Sequence, residues 1–221
     1  MTQESREGAA RRKDQADFSA PPWQQGLSLP PPWRDGGRRR VYGNDWLVLD
    51  EHEAVAPTGH GALYGVMRPT KLAVGVLPIH DDGKVRFVGQ HRFPLMNFVW
   101  EIPEGGVEAG EAPLMGIKRE LAEETGLKAG HWREVLRLET SNSVTDEQAI
   151  SWIAWGLAPA DAADPDQTEA LVSADVPFRE VLGAIARHQV RDAITVATVL
   201  RAYQMAVEGD LPGPLARAML R

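Results

Sequence analysis

The 221-residue chain contains no cysteine. Disulfides, thiolate metal sites and cysteine nucleophiles are therefore excluded, which fits a reducing compartment. No apolar run approaches the roughly 18 residues of a membrane-spanning helix, and the first residues lack the apolar core of a secretory leader. Positive charge is also scarce, with 24 Lys and Arg against 31 Asp and Glu and a formal net charge of −7. That balance argues against general affinity for nucleic acid or an anionic membrane. We expect a cytoplasmic protein that binds neither nucleic acid nor membrane. An anionic substrate would have to be met by local basic residues or by metal ions.

The length suits one domain with an appendage. Residues 1–37 are polar and then proline-rich, with Pro21, Pro22, Pro30, Pro31 and Pro32 around Trp23 and Trp33, which predicts a flexible arm. The run Arg38-Arg39-Arg40 reads as a solvated end at the entrance to the first strand. Antiparallel strands are predicted over 40–50 and 61–68, bounded by Gly43-Asn44 and Pro57-Thr58-Gly59, within an N-terminal strand region of residues 38–70. The nearly continuous apolar run 72–79 predicts a strand buried on both faces. His80-Asp81-Asp82-Gly83 turns it into a strand over 84–91. Shorter strands are placed near 98–102 and Val107, and others near 132–139, 148–157 and 170–173. A mobile loop is expected over 158–168, helices over 176–187 and 192–207, and a C-terminal tail over 211–221. This order predicts an α/β protein, a mixed sheet between helices in an α/β/α sandwich.

Charge is concentrated in residues 105–127, GGVEAGEAPLMGIKRELAEETGL. A helix over 112–125 places Glu120, Glu123 and Glu124 at i, i+3 and i+4 on one face. Like charges at that spacing repel, so the helix needs a cation among them. Leu114, Ile117, Leu121 and Thr125 form a mostly apolar stripe that would hold the carboxylates on a rigid support. Converging carboxylates make a hard oxygen site suited to Mg²⁺ or Mn²⁺, and magnesium pairs naturally with substrate phosphates. Paired metals in such a site can activate water against a phosphate anhydride. Gly116, one turn before Glu120, either clears room for metal or phosphate or permits close helix packing.

The full spacing is more specific than the cluster. Gly105, five residues, Glu111, seven residues, Arg119-Glu120-Leu121, one residue, Glu123-Glu124, one residue and Gly126-Leu127 resembles the Nudix box at every defined position. The resemblance covers about residues 40–207 and places the catalytic domain at 71–210. It implies Mg²⁺- or Mn²⁺-dependent hydrolysis of nucleoside diphosphates linked to another moiety. By that resemblance Glu120 and Glu124 are the main metal ligands, with the backbone carbonyl of Glu104 beside them. Glu123 is a further ligand or base, Glu111 orients the box, and Arg119 holds the glutamates by salt bridges.

Other features are similar to the ADP-ribose pyrophosphatase and nucleotide-sugar branch: the N-terminal strand region, Gln90-His91-Arg92, and Trp100-Glu101-Ile102-Pro103 before the box. The branch implies that Arg92 contacts substrate phosphate or ribose, and that Glu101 meets substrate or serves as a partner for Arg92. Glu147 matches an acidic position after the box, and Glu169 is the candidate late-loop carboxylate. The branch also implies a homodimer joined through the N-terminal region, with Trp46 reaching the other subunit's site. One departure is Thr140 to Glu147, TSNSVTDE, which has no proline where ADP-ribose enzymes carry one. The alternatives are a nucleoside triphosphate or dinucleoside polyphosphate hydrolase and, from another class, a non-catalytic nucleotide-ligand sensor. The intact box carboxylates favour an enzyme.

Overall fold

The computed structural model describes residues 20–161 and 170–221. Strands β1 (Arg34–Gly43), β2 (Leu47–Val55) and β3 (Gly61–Pro69) form an antiparallel sheet in that order. The β1–β2 turn is closed by Asn44, whose Oδ1 accepts from the backbone N–H groups of Trp46 and Leu47, each at 2.9 Å. A short amide side chain that mimics a backbone turn is a common reason for asparagine at this place. The arginine run lies inside β1. Arg38 and Arg40 point to the buried Asp50 at 3.7 and 3.6 Å, and Arg39 points the other way, to Glu51. Strand alternation thus turns a run expected as a solvated end into a charge-paired strand. Residues 34–37, placed in the flexible arm by their composition, belong to that same strand, with Arg34 opposite Val55.

The second sheet contains β4 (Ala73–Ile79), β5 (Lys84–Arg92), β6 (Asn97–Glu101), β7 (Glu104–Gly106), β8 (Leu127–Glu139), β9 (Gln148–Pro159) and β10 (Val172–Pro177). Its order is β10-β5-β4-β9-β8, with β6 on β5 and β7 on β4. The β4–β9 pair is parallel and its neighbours are antiparallel, which makes the mixed sheet expected from the sequence. Helix α1 (Pro113–Thr125) covers one face. Helices α2 (Phe178–Ala186), α3 (Ala193–Glu208) and α4 (Gly213–Met219) cover the other.

Two apolar clusters explain the layers. Val74 and Val76 of β4 pack with Ile117 and Leu121 of α1, and Leu77 and Ile79 pack with Val199, Ala202 and Met205 of α3. A strand buried on both faces reads as the continuous apolar run seen at 72–79. The architecture is therefore an α/β/α sandwich with an added N-terminal antiparallel sheet, as the sequence predicts. Residues 211–221 are not a simple tail. They contain α4, whose Leu215, Ala216 and Met219 are buried in the second cluster together with Leu211. Pro214 sits in the first turn, where its missing N–H costs no helical hydrogen bond. Among the described residues, no helix is long and apolar enough to cross a membrane.

Candidate active site

Strand β7 and helix α1 build the site. Val74 and Gly75 of β4 pair with Gly105 and Glu104, so the segment before the helix is fixed to the centre of the sheet. Ile117 and Leu121, both fully buried, then dock α1 on the same sheet. The helix presents Glu120, Glu123 and Glu124 over β7. A Cβ at Gly105 would fall 2.2 Å from Glu120 Cδ and 2.3 and 2.6 Å from its two oxygens. Glycine leaves room there for the Glu120 carboxylate, which lies against the backbone. On the same edge the backbone N–H of Glu104 donates to Glu124 Oε2 at 3.2 Å.

Arg119 is the cation that the carboxylate spacing calls for. Its Nη1 donates to Glu120 Oε1 and Glu123 Oε2, each at 2.9 Å. Its Nη2 donates to the carbonyl of Gly106 at 3.1 Å and to Glu111 Oε2 at 3.3 Å. Partial burial alone would lower the guanidinium pKa, but Glu111, Glu120 and Glu123 outweigh it and raise the value. Glu111 in turn accepts from the backbone N–H of Glu108 at 3.0 Å. That bond and the Arg119 contact hold its carboxyl below the usual range. Gly116 serves this residue. A Cβ there would meet Glu111 Oε2 at 3.1 Å and Val107 Cγ2 at 3.3 Å, so close packing is its role.

Arg92 faces the box from the end of β5. Its Nη2 lies 2.7 Å from Glu101 Oε1 and 2.9 Å from Glu104 Oε1, and its Nε donates to Glu101 Oε2 at 3.2 Å. Gln90 Nε2 donates to Glu101 Oε1 at 2.8 Å. Glu101 is 2% exposed and is turned toward Arg92 and Gln90, so it is placed as their partner and away from the cleft. Burial raises its pKa despite Arg92 and Gln90.

The side chain of Glu104 was not foreseen at the site, and Asp192 was expected only as the start of a helix. Glu101, Glu104 and Asp192 bring carboxylate oxygens within 4.8 Å of one another. Burial, reinforced by Asp192 and Glu101, raises the Glu104 pKa well above the usual range although Arg92 opposes the shift. Glu104 Oε2 is buried without a hydrogen-bond partner. Asp192 also caps α3 by accepting from the Thr195 N–H at 2.7 Å. The Asp-to-Thr spacing marks that cap in the sequence, but no local pattern joins it to Glu104.

These elements surround a cleft of about 680 Å³ lined by Arg92, Glu104, Arg119, Glu120, Glu123 and Glu124. Trp46 and Glu147 also line it, together with Lys71 and Thr70. Trp46, expected to act across a dimer, borders the cleft of its own chain and is 72% exposed. Glu147 is held by Thr140, whose Oγ1 donates to Glu147 Oε2. Glu169, and most of the loop expected over 158–168, lie outside the described residues.

The mixed-sheet sandwich thus carries an arginine-bridged carboxylate helix beside a cleft of about 680 Å³. The NUDIX domain model matches residues 69–197. An ADP-ribose pyrophosphatase of Mycobacterium tuberculosis is 30% identical over 145 residues, 65% of this chain and 70% of that protein. A methanol dehydrogenase activator of Bacillus methanolicus is 34% identical over 161 residues, 72% of this chain and 86% of that protein. A solved structure described as an ADP compounds hydrolase superposes with a TM-score of 0.74 at 17% identity, covering 84% of this chain and all of the other. The chain belongs to the Nudix family, and it is a Nudix hydrolase.

Proposed function

We propose that the protein hydrolyses the diphosphate of a nucleoside diphosphate linked to a sugar, of the ADP-ribose or nucleotide-sugar type, releasing a nucleoside monophosphate and a sugar phosphate. The observation that carries this reading is the complete, arginine-bridged carboxylate set gathered with Arg92 in one cleft. The names of the M. tuberculosis relative and of the superposed structure support the substrate class. A cleft of about 680 Å³ is in the range that holds a ligand of nucleotide size.

The residues fit a hard divalent cation. Gly105 leaves the space that the Glu120 carboxylate needs beside the backbone, and Glu104 Oε2 is a buried oxygen with no donor. Glu120, Glu124 and the main-chain carbonyl of Glu104 would hold Mg²⁺ or Mn²⁺, with all ligands oxygen as such ions prefer. When bound, the metal supplies Lewis-acid stabilisation of phosphate charge and a more acidic water. Glu123, beside Arg119, is a base or further ligand, and Glu169 is the candidate late-loop carboxylate. Arg119 bridges the glutamates and keeps them aimed. Arg92 orients the diphosphate, Trp46 offers a flat face for a base, and Glu147 accepts from a hydroxyl of the substrate. Water adds to one phosphorus, the bridging P–O bond breaks, and each half leaves with its own phosphate.

The N-terminal sheet, residues 38–70, is proposed to join two copies in a cytoplasmic homodimer. Val41, Tyr42 and Leu63 are each at least half exposed on it, which supports an interface role. Light scattering is expected to give twice the mass of the 24.3 kDa chain. A monomer at all concentrations would remove this part of the proposal.

The substrate reading is tested by incubating the protein with Mg²⁺ and a panel of ADP-ribose, nucleotide sugars, nucleoside triphosphates and dinucleoside polyphosphates. Turnover is expected to be fastest on ADP-ribose or a nucleotide sugar. Preference for triphosphates or dinucleoside polyphosphates would transfer the assignment to those classes. Binding is to be measured beside turnover, because tight binding of one compound without turnover of any would mark a sensor.

A further inference from the structure

The short segment of residues 67–70 at the end of β3 touches both the turn that carries Trp46 and the loop that ends at Glu147. On one side the Thr70 N–H donates to the carbonyl of Trp46 at 2.9 Å, and Thr70 Oγ1 donates to the carbonyl of Asp45 at 2.6 Å. On the other side the Met67 N–H donates to the carbonyl of Val144 at 2.9 Å, and Met67 bridges to Thr145. Arg68 then makes an ion pair with Asp146, next to Glu147. Tyr64, three residues before Met67 in the strand, donates its hydroxyl to the carbonyl of Ser143 at 2.6 Å.

Arg68 is itself firmly set. Its Nε donates to Asp50 Oδ2 at 3.2 Å, and Asp50 is only 2% exposed. Its Nη2 lies 3.2 Å from His52 Nε2. The loop it grips has no proline to restrict its backbone between Thr140 and Glu147. Loops without such restriction lose more entropy on ordering, so their geometry depends on contacts such as these. The loop ends at Glu147, and the turn on the opposite side of the segment carries Trp46, both of which line the cleft.

We propose that Arg68 is a positioning residue for substrate recognition, which fixes the 141–147 loop through Asp146 and so sets Glu147 beside Trp46 for the part of the substrate beyond the phosphates. This rests on the reading of the cleft as a nucleoside diphosphate–sugar site. The N-terminal sheet then belongs to the recognition apparatus of its own chain, in addition to any role between copies. Neither Arg68 nor Asp146 is placed among the groups that meet the reacting phosphates.

The test is Asp146→Ala, a change at a side chain 44% exposed that leaves the buried Asp50–Arg68 contact in place. Hydrogen exchange at the Val144 and Thr145 amides is expected to quicken about tenfold without ligand, because their loop loses its tether. KM for ADP-ribose is expected to rise about fivefold while kcat stays within about twofold. Asp146→Glu, which keeps the charge, is expected to restore most of the KM. Unchanged exchange, or faster exchange with unchanged KM, or a fall in kcat alone, would overturn the clamp. If wild-type protein turns over a nucleotide sugar instead of ADP-ribose, that sugar is used in the KM measurement; if it turns over only a triphosphate or dinucleoside polyphosphate, the substrate reading falls and that compound takes its place. If it turns over none, the dissociation constant of the tightest-binding member is compared between wild type and Asp146→Ala, and no difference overturns the clamp.

Discussion

Glu124→Gln is expected to leave folding nearly intact and to lower turnover at least about a hundredfold, roughly 2.7 kcal/mol of transition-state stabilisation. The folding half follows from its surroundings. Glu124 lies at the cleft on a helix held by Ile117 and Leu121, and its contact with the Glu104 N–H is one that an amide oxygen can also accept. The catalytic half follows from charge. An amide keeps the shape and loses the anionic oxygen that a hard cation requires. Circular dichroism and a thermal melt check the first half, and product release under saturating substrate and Mg²⁺ checks the second. Near-normal turnover would sink the proposed metal role of Glu124.

Gly105→Ala is the second change expected to act strongly, with turnover reduced about a hundredfold although no charge is altered. The added methyl would lie 2.2 Å from Glu120 Cδ, far inside contact distance. The obstructing atoms are the end of a flexible side chain, so the backbone can stay and Glu120 must swing away. That would separate it from Arg119 Nη1, now at 2.9 Å. The expected signature is a rise in the Mg²⁺ concentration needed for half-maximal rate, beside the lower turnover. Gly116→Ala is the control. Its Cβ would meet Glu111 and Val107 at 3.1 and 3.3 Å, contacts that small shifts relieve, and its effect should stay below about tenfold. Equal effects at the two glycines would contradict the crowding argument.

The parts of this protein that were legible in its sequence are those set by local pattern. The i, i+3, i+4 carboxylates, the apolar stripe and Gly126 place α1 within a residue of its observed start, and Gly126 takes the left-handed conformation that ends it. The 72–79 run marks the doubly buried strand. What escaped depends on tertiary partners or on misread punctuation. Residues 211–221 read as a tail, yet α4 opens at Gly213 with Pro214 in its first turn, and the spacing of Leu211, Leu215, Ala216 and Met219 was the helical signal. Arg34 to Gly37 looked like the end of a proline-rich arm because a strand with no buried residue has no alternating apolar pattern to show.

The same division holds within the site. Arg119 and the box glutamates sit on one helix, so spacing alone brings them together. Glu104 and Asp192 meet only because β7 and the start of α3 approach the same end of the sheet, which no sequence window contains. Trp46 reaches the cleft through the Asn44 turn and Thr70, again a contact between segments distant in the chain. The chemistry is therefore more local than the recognition. In the proposed function box and helix carry the first, whereas the N-terminal sheet and the 141–147 loop would carry the second.

The central claim, hydrolysis of a nucleoside diphosphate–sugar at its diphosphate bridge, is tested most directly by following ADP-ribose with Mg²⁺ and wild-type protein by phosphorus NMR. The expected result is loss of the two diphosphate resonances and growth of two phosphate monoester resonances, those of AMP and ribose 5-phosphate, in equal amounts. Persistence of the diphosphate resonances, with nucleotide sugars equally untouched, would contradict it.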